Sequence, residues 1–585
     1  MKLIFRYLGR YKWSVLLVMG IKLLGTMAEL TLPYILEHLL DKVVPLGKLG
    51  PVVFWGLLMI AAAVVTRQLN VAANRRAVEN AHNISYDVRQ TLFHKTVNLS
   101  GSQFDAFGLP SLISRMTSDS YNVQSCAQSL QTLCVRAPIL LVGSIIMALT
   151  MDVRMALIMC VMAPVLILVC VGVSRFGIPL YNKVQQRLDD VVRIMREDIT
   201  GIRVVKALSK EEYEKGHFGA ANEAMAKSDI KASTIMAVPG PAMQMCLNVG
   251  LTAVVVLGAY RVNGGQMDPG VILAFLTYFN MIMMGVMGLN RVFMMLSKAS
   301  ASADRIDLVL GAEDDQTTLP AEDCPAPAGE EFIRFEHVDF SYGSAADPAH
   351  EGFAGAEREK CLYDISFALK KGESLGIIGS TGCGKSTILN LLMRFYDVDG
   401  GGVFVDGKDV RAYDKDDLHR KFGVVFQNDM VFNDTLRRNI DFGRELEEQD
   451  ILNAVGDAMA AEFIGELDAG LDYMADIKGA NLSGGQKQRL LIARALAGHP
   501  EILILDDSSS ALDYKTDAAL RKAIFARHRD AAVIMVAQRV SSVQSMTNIL
   551  MLEEGRCIGY GSHAHLLETC PAYRAIYETQ MGSMT

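Results

Sequence analysis

At 585 residues with a formal charge of −8, the chain is too long for one core, since cores split beyond roughly 250–300 residues, and it lacks the basic excess that nucleic acid demands. Half of it is hydrophobic and the mean hydropathy is +0.22, which excludes a wholly water-facing protein and points to a membrane-embedded part. The ten cysteines (Cys126, Cys134, Cys160, Cys170, Cys246, Cys324, Cys361, Cys383, Cys557 and Cys570) show neither metal-ligand nor paired spacing, so they read as reduced thiols.

The opening "MKLIFRYLGRYKW" lacks a cleavage site, and the apolar run behind it is too long for a signal peptide. Six apolar spans follow, at about 13–36, 51–72, 129–150, 154–175, 236–261 and 269–297, each near the ~20 residues that cross the hydrocarbon of a bilayer. Short turns alternate with two long polar connections, 68–128 and 176–235, whose Arg75, Arg76, Arg89, Lys183, Arg187 and Arg193 join the basic N-terminus. The positive-inside rule then puts both termini and both long connections in the cytoplasm.

Within the spans, Lys22 and Glu29 lie two turns apart on one face of the first. Each costs roughly 2.5–3.5 kcal/mol at mid-bilayer, so they should face protein or a water-filled cavity, as a structural pair, an interfacial residue or a substrate contact. Pro239 and Pro241 should kink the fifth span. Met281, Met283, Met284 and Met287, with Asn280 and Asn290, make the sixth either an adaptable cavity wall or a packed helix.

Residues 1–310 therefore read as a membrane domain, 311–331 as an acidic Pro/Ala-rich linker, and 332–585 as an α/β domain. The aperiodic stretch 343–360 reads as a surface loop.

"SLGIIGSTGCGKSTILNLLMRF" is a strand, a Gly-rich turn and a helix. Gly379, Ser380, Thr381, Gly382, Cys383 and Gly384 let backbone N–H groups wrap phosphate oxygens; Lys385 reaches the β/γ-phosphates, and Ser386, followed by Thr387, offers Mg²⁺ a hydroxyl. Cys383 inside the loop suggests a thiol whose alkylation ATP blocks. Further on, Ser483, Gly484, Gly485 and Gln486 open a second phosphate-binding helix end, which one nucleotide on one chain does not need. Two chains facing each other do. In "ILILDDSSSALD" an apolar strand runs into Asp506 and Asp507.

These motifs in this order resemble the ATP-binding cassette superfamily, and the chain as a whole looks like an exporter-type half-transporter with six membrane helices fused to one P-loop NTPase domain. "GSTGCGKST" is similar to Walker A, Gln427 to the Q-loop, "LSGGQ" to the signature, "ILILDD" to Walker B, Ser510–Asp513 to the D-loop, and Gln538 to the switch position. The resemblance implies that Tyr342 stacks on adenine, that Asp506, Ser386 and Gln427 hold Mg²⁺, and that Ser483 and Gly485 touch ATP bound to the opposite subunit. It further implies that Asp513 signals across a dimer in a bacterial plasma membrane, and that 109–120 and 201–214 carry the helices that couple membrane and motor domains.

Two positions depart from the pattern. Fully hydrolytic members have glutamate where Asp507 stands and histidine where Gln538 stands. The shorter carboxylate sits on the order of 1 Å or more from where a general base belongs, and positioned bases contribute typically 10²–10⁴-fold. With the signature intact, the expectation is a heterodimer in which this chain binds ATP, hydrolyses it slowly, and completes a competent site on a homologous partner. A homodimer, a mainly regulatory subunit and an exporter-fold importer remain open. Cargo is expected to be an amphipathic or hydrophobic drug, lipid or peptide.

Overall fold

The computed structural model describes residues 1–320, 331–343, 360–508 and 511–581. The expected surface loop at 343–360 lies almost wholly outside them, as does Ser510. The chain divides into two compact units: Met1–Val97 with Pro110–Ala312, and Asn98–Leu109 with Glu313–Thr585.

The chain begins with helices α1 (Lys2–Arg10), α2 (Lys12–His38), α3 (Leu49–Val97) and α4 (Gly101–Phe107). Next come α5 (Leu109–Ser114), α6 (Ser120–Gln131), α7 (Leu133–Met151) and α8 (Val153–Thr200). The first unit closes with α9 (Ile202–Ala207), α10 (Glu211–Ala237), α11 (Pro239–Asn263) and α12 (Pro269–Leu310). At ~1.5 Å per residue the 49 residues of α3 exceed twice the hydrocarbon thickness, so the helix outruns its apolar span and continues as a polar arm. Among the described residues, five helical stretches are long and apolar enough to cross a membrane; the sixth expected span, in α8, is apolar over Val153–Val169.

The core of this unit gathers around Phe275, Tyr278 and Phe279 of α12, and the Tyr278 hydroxyl donates to the Leu30 carbonyl at 2.8 Å. On the same helix Met281 and Met283 pack against that core, whereas Met284 and Met287 are exposed.

Pro239 and Pro241 interrupt the fifth helical stretch, as expected. α10 stops at Ala237 and Pro239 opens α11, with only Val238 between them, so the break falls where the prolines stand. One expectation changes: Lys22 and Glu29 do not pair with each other. Lys22 Nζ donates to Asn70 Oδ1 (2.8 Å) and Asn74 Oδ1 (3.0 Å) of α3, while Glu29 pairs with Arg136 of α7 at 2.8 Å. Two turns apart on one helix, they face different neighbours: Lys22 takes two neutral amide acceptors, and Glu29 a counter-charge.

The second unit carries two sheets. An antiparallel sheet, in order β2-β1-β4-β5, is built from β1 (Ile333–Ser341), β2 (Lys360–Leu369), β4 (Gly400–Val405) and β5 (Lys408–Asp409). The larger sheet has order β10-β9-β3-β8-β7-β6, from β3 (Ser374–Gly379), β6 (Phe422–Val425), β7 (Ile502–Asp506), β8 (Ala532–Val536), β9 (Asn548–Glu553) and β10 (Arg556–Gly561). Strands β9, β3, β8, β7 and β6 run parallel, and every residue of β7 and β8 is buried, as expected of strands covered on both faces.

The crossover helices of this unit begin with α13 (Lys385–Leu392), α14 (Lys415–Arg420), α15 (Leu436–Asp441), α16 (Glu448–Asp457) and α17 (Ala461–Gly465). They continue with α18 (Gly484–Leu496), α19 (Tyr514–Arg527), α20 (Val540–Val543), α21 (His563–Thr569) and α22 (Pro571–Met581).

Helix α4 belongs with this second unit. Ser100 and Gln103 form a reciprocal capping box that starts it, the Ser100 and Ser102 hydroxyls donate to Asp315 (2.9 and 2.7 Å), and Tyr396 Oη donates to Asp105 Oδ2 at 2.6 Å. The segment docked on the α/β unit is thus Asn98–Leu109, one step earlier in the chain than the expected 109–120, most of which packs with the membrane helices.

Candidate active site

Four parallel strands deliver their carboxyl ends to one edge. β3 runs into the Gly-rich loop, β6 is followed by Gln427, β7 ends in Asp506, and β8 is followed by Ala537 and Gln538. This is the edge where open α/β sheets bind ligands, because the loops leaving the strands and the N-termini of following helices converge there. A cleft of about 310 Å³ opens at it.

Of the residues picked out in the sequence, the cleft brings together Tyr342, Thr381, Gly382, Gly384, Lys385, Ser386, Thr387, Gln427, Asp506, Asp507 and Gln538. Gly384 has φ +100, a conformation that side chains resist, and a Cβ there would meet Leu362 Cδ2 at 2.5 Å. Lys385, the first residue of α13, folds its ammonium into the loop, donating to the carbonyls of Gly379 (2.9 Å) and Ser380 (2.6 Å). A positive charge therefore sits on the Gly-rich loop where it borders the cleft.

Ser386 Oγ donates to Asp506 Oδ2 at 3.1 Å. Burial raises the Asp506 carboxyl above its ordinary range and the neighbouring Asp507 charge adds to this, while the Ser386 hydrogen bond and the Lys385 charge oppose it. One hydroxyl and one carboxylate, both hard oxygen donors, suit Mg²⁺, which takes few protein ligands and leaves the rest to phosphate and water. No cluster of three His, Cys, Asp or Glu side chains suited to a metal occurs among the described residues, so the donor set fits a metal that arrives with a nucleotide.

Asp507 follows directly with φ +48, a left-handed conformation that aspartate tolerates better than most residues. Its carboxylate Oδ2 accepts from Gln538 Nε2 at 3.2 Å. The two positions that depart from the motif pattern are therefore in direct contact.

Tyr342, just beyond β1, packs edge-on against Phe340 and Tyr396, with ring centroids 4.8 and 5.2 Å away, and its hydroxyl donates to Thr387 Oγ1 at 3.1 Å. A flat aromatic surface is thereby held at the lip of the cleft.

The signature residues lie elsewhere. Ser483 caps α18 in a capping box with Gln486, and Gly484 and Gly485 form the first turn; none of the four lines the cleft. Asp513 likewise caps α19, accepting from Thr516 N at 2.9 Å, and the Ala511 N–H donates to Gln488 Oε1 at 3.0 Å. Cys383 is 3% exposed and packs with the core behind the loop, with its Sγ 3.8 Å from Lys385 Nζ; it does not line the cleft. No sequence signal points to Cys361, which lines the cleft from β2 with its Sγ 3.4 Å from Thr387 Oγ1.

The pattern of the family described as "ABC transporter transmembrane region" matches residues 15–287, and that described as "ABC transporter" matches residues 362–510. The chain is 33% identical to the uncharacterized ABC transporter ATP-binding protein YfiB of Bacillus subtilis, covering 97% of each chain. It is 31% identical to an uncharacterized ABC transporter ATP-binding protein of Mycobacterium tuberculosis, over 99% of this chain and 98% of that one. An ATP-dependent lipid A-core flippase of Vibrio vulnificus is 30% identical, over 86% and 84%. Among solved structures, a bacterial Atm1-family ABC exporter with ATP bound superposes with a TM-score of 0.80 over 97% of this chain and 99% of that one, at 22% identity, which shows the shared fold.

Proposed function

The chain belongs to the ABC transporter family, as a half-transporter with its membrane region and its ATPase domain in one polypeptide, and from that premise we propose that it is the weakly hydrolysing half of a heterodimeric exporter. In this reading two cassettes close on two nucleotides. Each nucleotide is cradled by one chain's Gly-rich loop and covered by the other chain's signature helix. ATP drives the cycle because it binds the closed arrangement more tightly than the open one.

The observation that carries the reading is the contact between Asp507 and Gln538 at 3.2 Å. To act on water, Asp507 must reach the phosphate side of the cleft from a side chain one methylene shorter than glutamate, and it must release the amide it already holds. Gln538 carries no charge to place on the γ-phosphate. Lys385 and the backbone N–H groups around Gly382 and Gly384 remain suited to binding, so binding and turnover part company. Ser386 and Asp506 would hold magnesium, which would supply charge neutralisation at the phosphates. Ser386 orients on Asp506, Gln427 borders the same space, and Tyr342 offers its face to the base.

Signature residues that sit outside the chain's own cleft favour a composite site completed by a second chain. Cargo is proposed to be a hydrophobic or amphipathic compound moved out through the membrane unit; the name of the Vibrio vulnificus relative, a flippase, supports an amphipathic substrate. The test is an acid quench of the complex during steady turnover, followed by identification of the nucleotide held at each site. Intact ATP is expected at the Lys385 site and ADP at the partner's. ADP at both sites contradicts the division of labour.

A further inference from the structure

Helix α22 ends beside the loop that carries Gln538. There the amide of Gln580 makes two main-chain bonds at once: Nε2 donates to the Gln538 carbonyl at 2.9 Å, and Oε1 accepts from the Val540 N–H at 2.7 Å. The two bonds straddle Arg539. Neither main-chain group belongs to a sheet ladder, since β8 stops at Val536 and α20 begins at Val540, whose N–H is one of the donors a helix start leaves without an internal partner. The amide therefore holds a stretch of backbone that regular structure does not.

The helix that presents Gln580 is itself fixed. Tyr573 is fully buried with its hydroxyl 2.7 Å from His563 Nδ1, and Arg574 Nε donates to the Leu567 carbonyl at 2.6 Å. A rigid base and a two-point grip make α22 a lever on the segment 537–540. The side chain of that segment's Gln538 reaches Asp507.

We propose that Gln580 is a positioning residue of the ATP site, holding the main chain so that the Gln538 amide faces Asp507 and the γ-phosphate. It touches neither nucleotide nor metal, and acts only through the backbone it grips. The proposal rests on the reading of the cleft as an ATP site with Gln538 at its γ-phosphate end. A residue serving only as a surface cap would stabilise the whole domain and affect every nucleotide alike. A residue that aims Gln538 affects only nucleotides with a γ-phosphate.

The experiment uses the full chain in lipid nanodiscs, with EDTA present to stop turnover, and measures ATP and ADP affinity together with amide hydrogen exchange. Gln580→Leu is expected to weaken ATP binding about five-fold, the effect of losing a net hydrogen bond, with ADP within about two-fold. Exchange over residues 537–541 should quicken while β7 is unchanged. Gln580→Glu keeps an acceptor for Val540 but sets a carboxylate oxygen against the Gln538 carbonyl, so it should weaken ATP binding at least as much as Gln580→Leu. In a Gln538→Ala background, Gln580→Leu should no longer alter the ATP-to-ADP ratio. Equal losses for ATP and ADP, unaltered exchange, or an effect that persists without the Gln538 side chain would overturn the proposal. A wild type that binds ATP no more tightly than ADP refutes the underlying site reading instead, and the exchange arm still decides whether Gln580 grips the loop.

Discussion

Asp506 and Asp507 are adjacent in sequence, yet the fold gives them different surroundings. Asp506 ends a buried strand against Ser386, and Asp507 turns left-handed toward Gln538. Because burial raises the Asp506 carboxyl, a proton competes with Mg²⁺ at a higher pH than at an ordinary carboxylate, and metal affinity is lost as pH falls. Mg²⁺-dependent ATP binding should therefore weaken more steeply on acidification in the wild type than in Asp506→Asn, whose binding is weaker throughout. Thiol chemistry separates two other residues. N-ethylmaleimide should label Cys361 at the cleft and ATP should protect it, whereas Cys383, 3% exposed, should stay unlabelled in the folded chain; peptide mass mapping reads both. The Gly-rich loop was legible in the sequence because phosphate binding fixes its residue types. Cys361 was not, because a lone cysteine after an aperiodic stretch says nothing about which strand pairing will bring it to Thr387.

At the scale of elements, strands ending in charge were read correctly where the pattern was strong: β3 into the loop, and β7 into the aspartates. Helix ends were harder. The docked helix α4 is seven residues long, too short for an amphipathic period, and its start is set by the Ser100–Gln103 capping box, a signal easily passed over beside the longer 109–120 stretch. Its close approach is strict. Gly101 N–H donates to the Phe395 carbonyl at 3.1 Å, and a Cβ on Gly101 would lie 2.6 Å from that oxygen and 2.9 Å from the Tyr396 ring. Gly101→Val should therefore release α4. Amide exchange over 98–109 is expected to rise by at least about ten-fold, the mark of a lost docking free energy near 1.4 kcal/mol, while β7 stays protected and nucleotide affinity holds. Unaltered exchange in that segment would mean that α4 does not depend on this contact. The partners of the charges on α2 were legible only in part, since a sequence shows that Lys22 and Glu29 need partners but not that Lys22 takes the amides of Asn70 and Asn74 and Glu29 the guanidinium of Arg136.

For the whole molecule, a membrane unit and a sheet-based unit follow from hydropathy and from the change of texture after residue 310, and both are present. What one chain cannot supply is the lid for its own cleft. Its signature helix α18 stands apart from the cleft lined by Lys385 and Gln538, so the functional particle is proposed as two chains, and the Asp507–Gln538 pair argues that they are unlike. The most direct measurement is the steady-state ATP turnover of the purified chain alone in nanodiscs, beside Asp507→Glu/Gln538→His and beside the chain co-purified with a homologous half. The wild type alone should bind ATP and turn it over at a rate that the double substitution raises by about 10²-fold, the contribution of a well-placed base, and that the homologous half raises comparably. Brisk turnover by the lone wild-type chain, with no gain from either, would contradict the account.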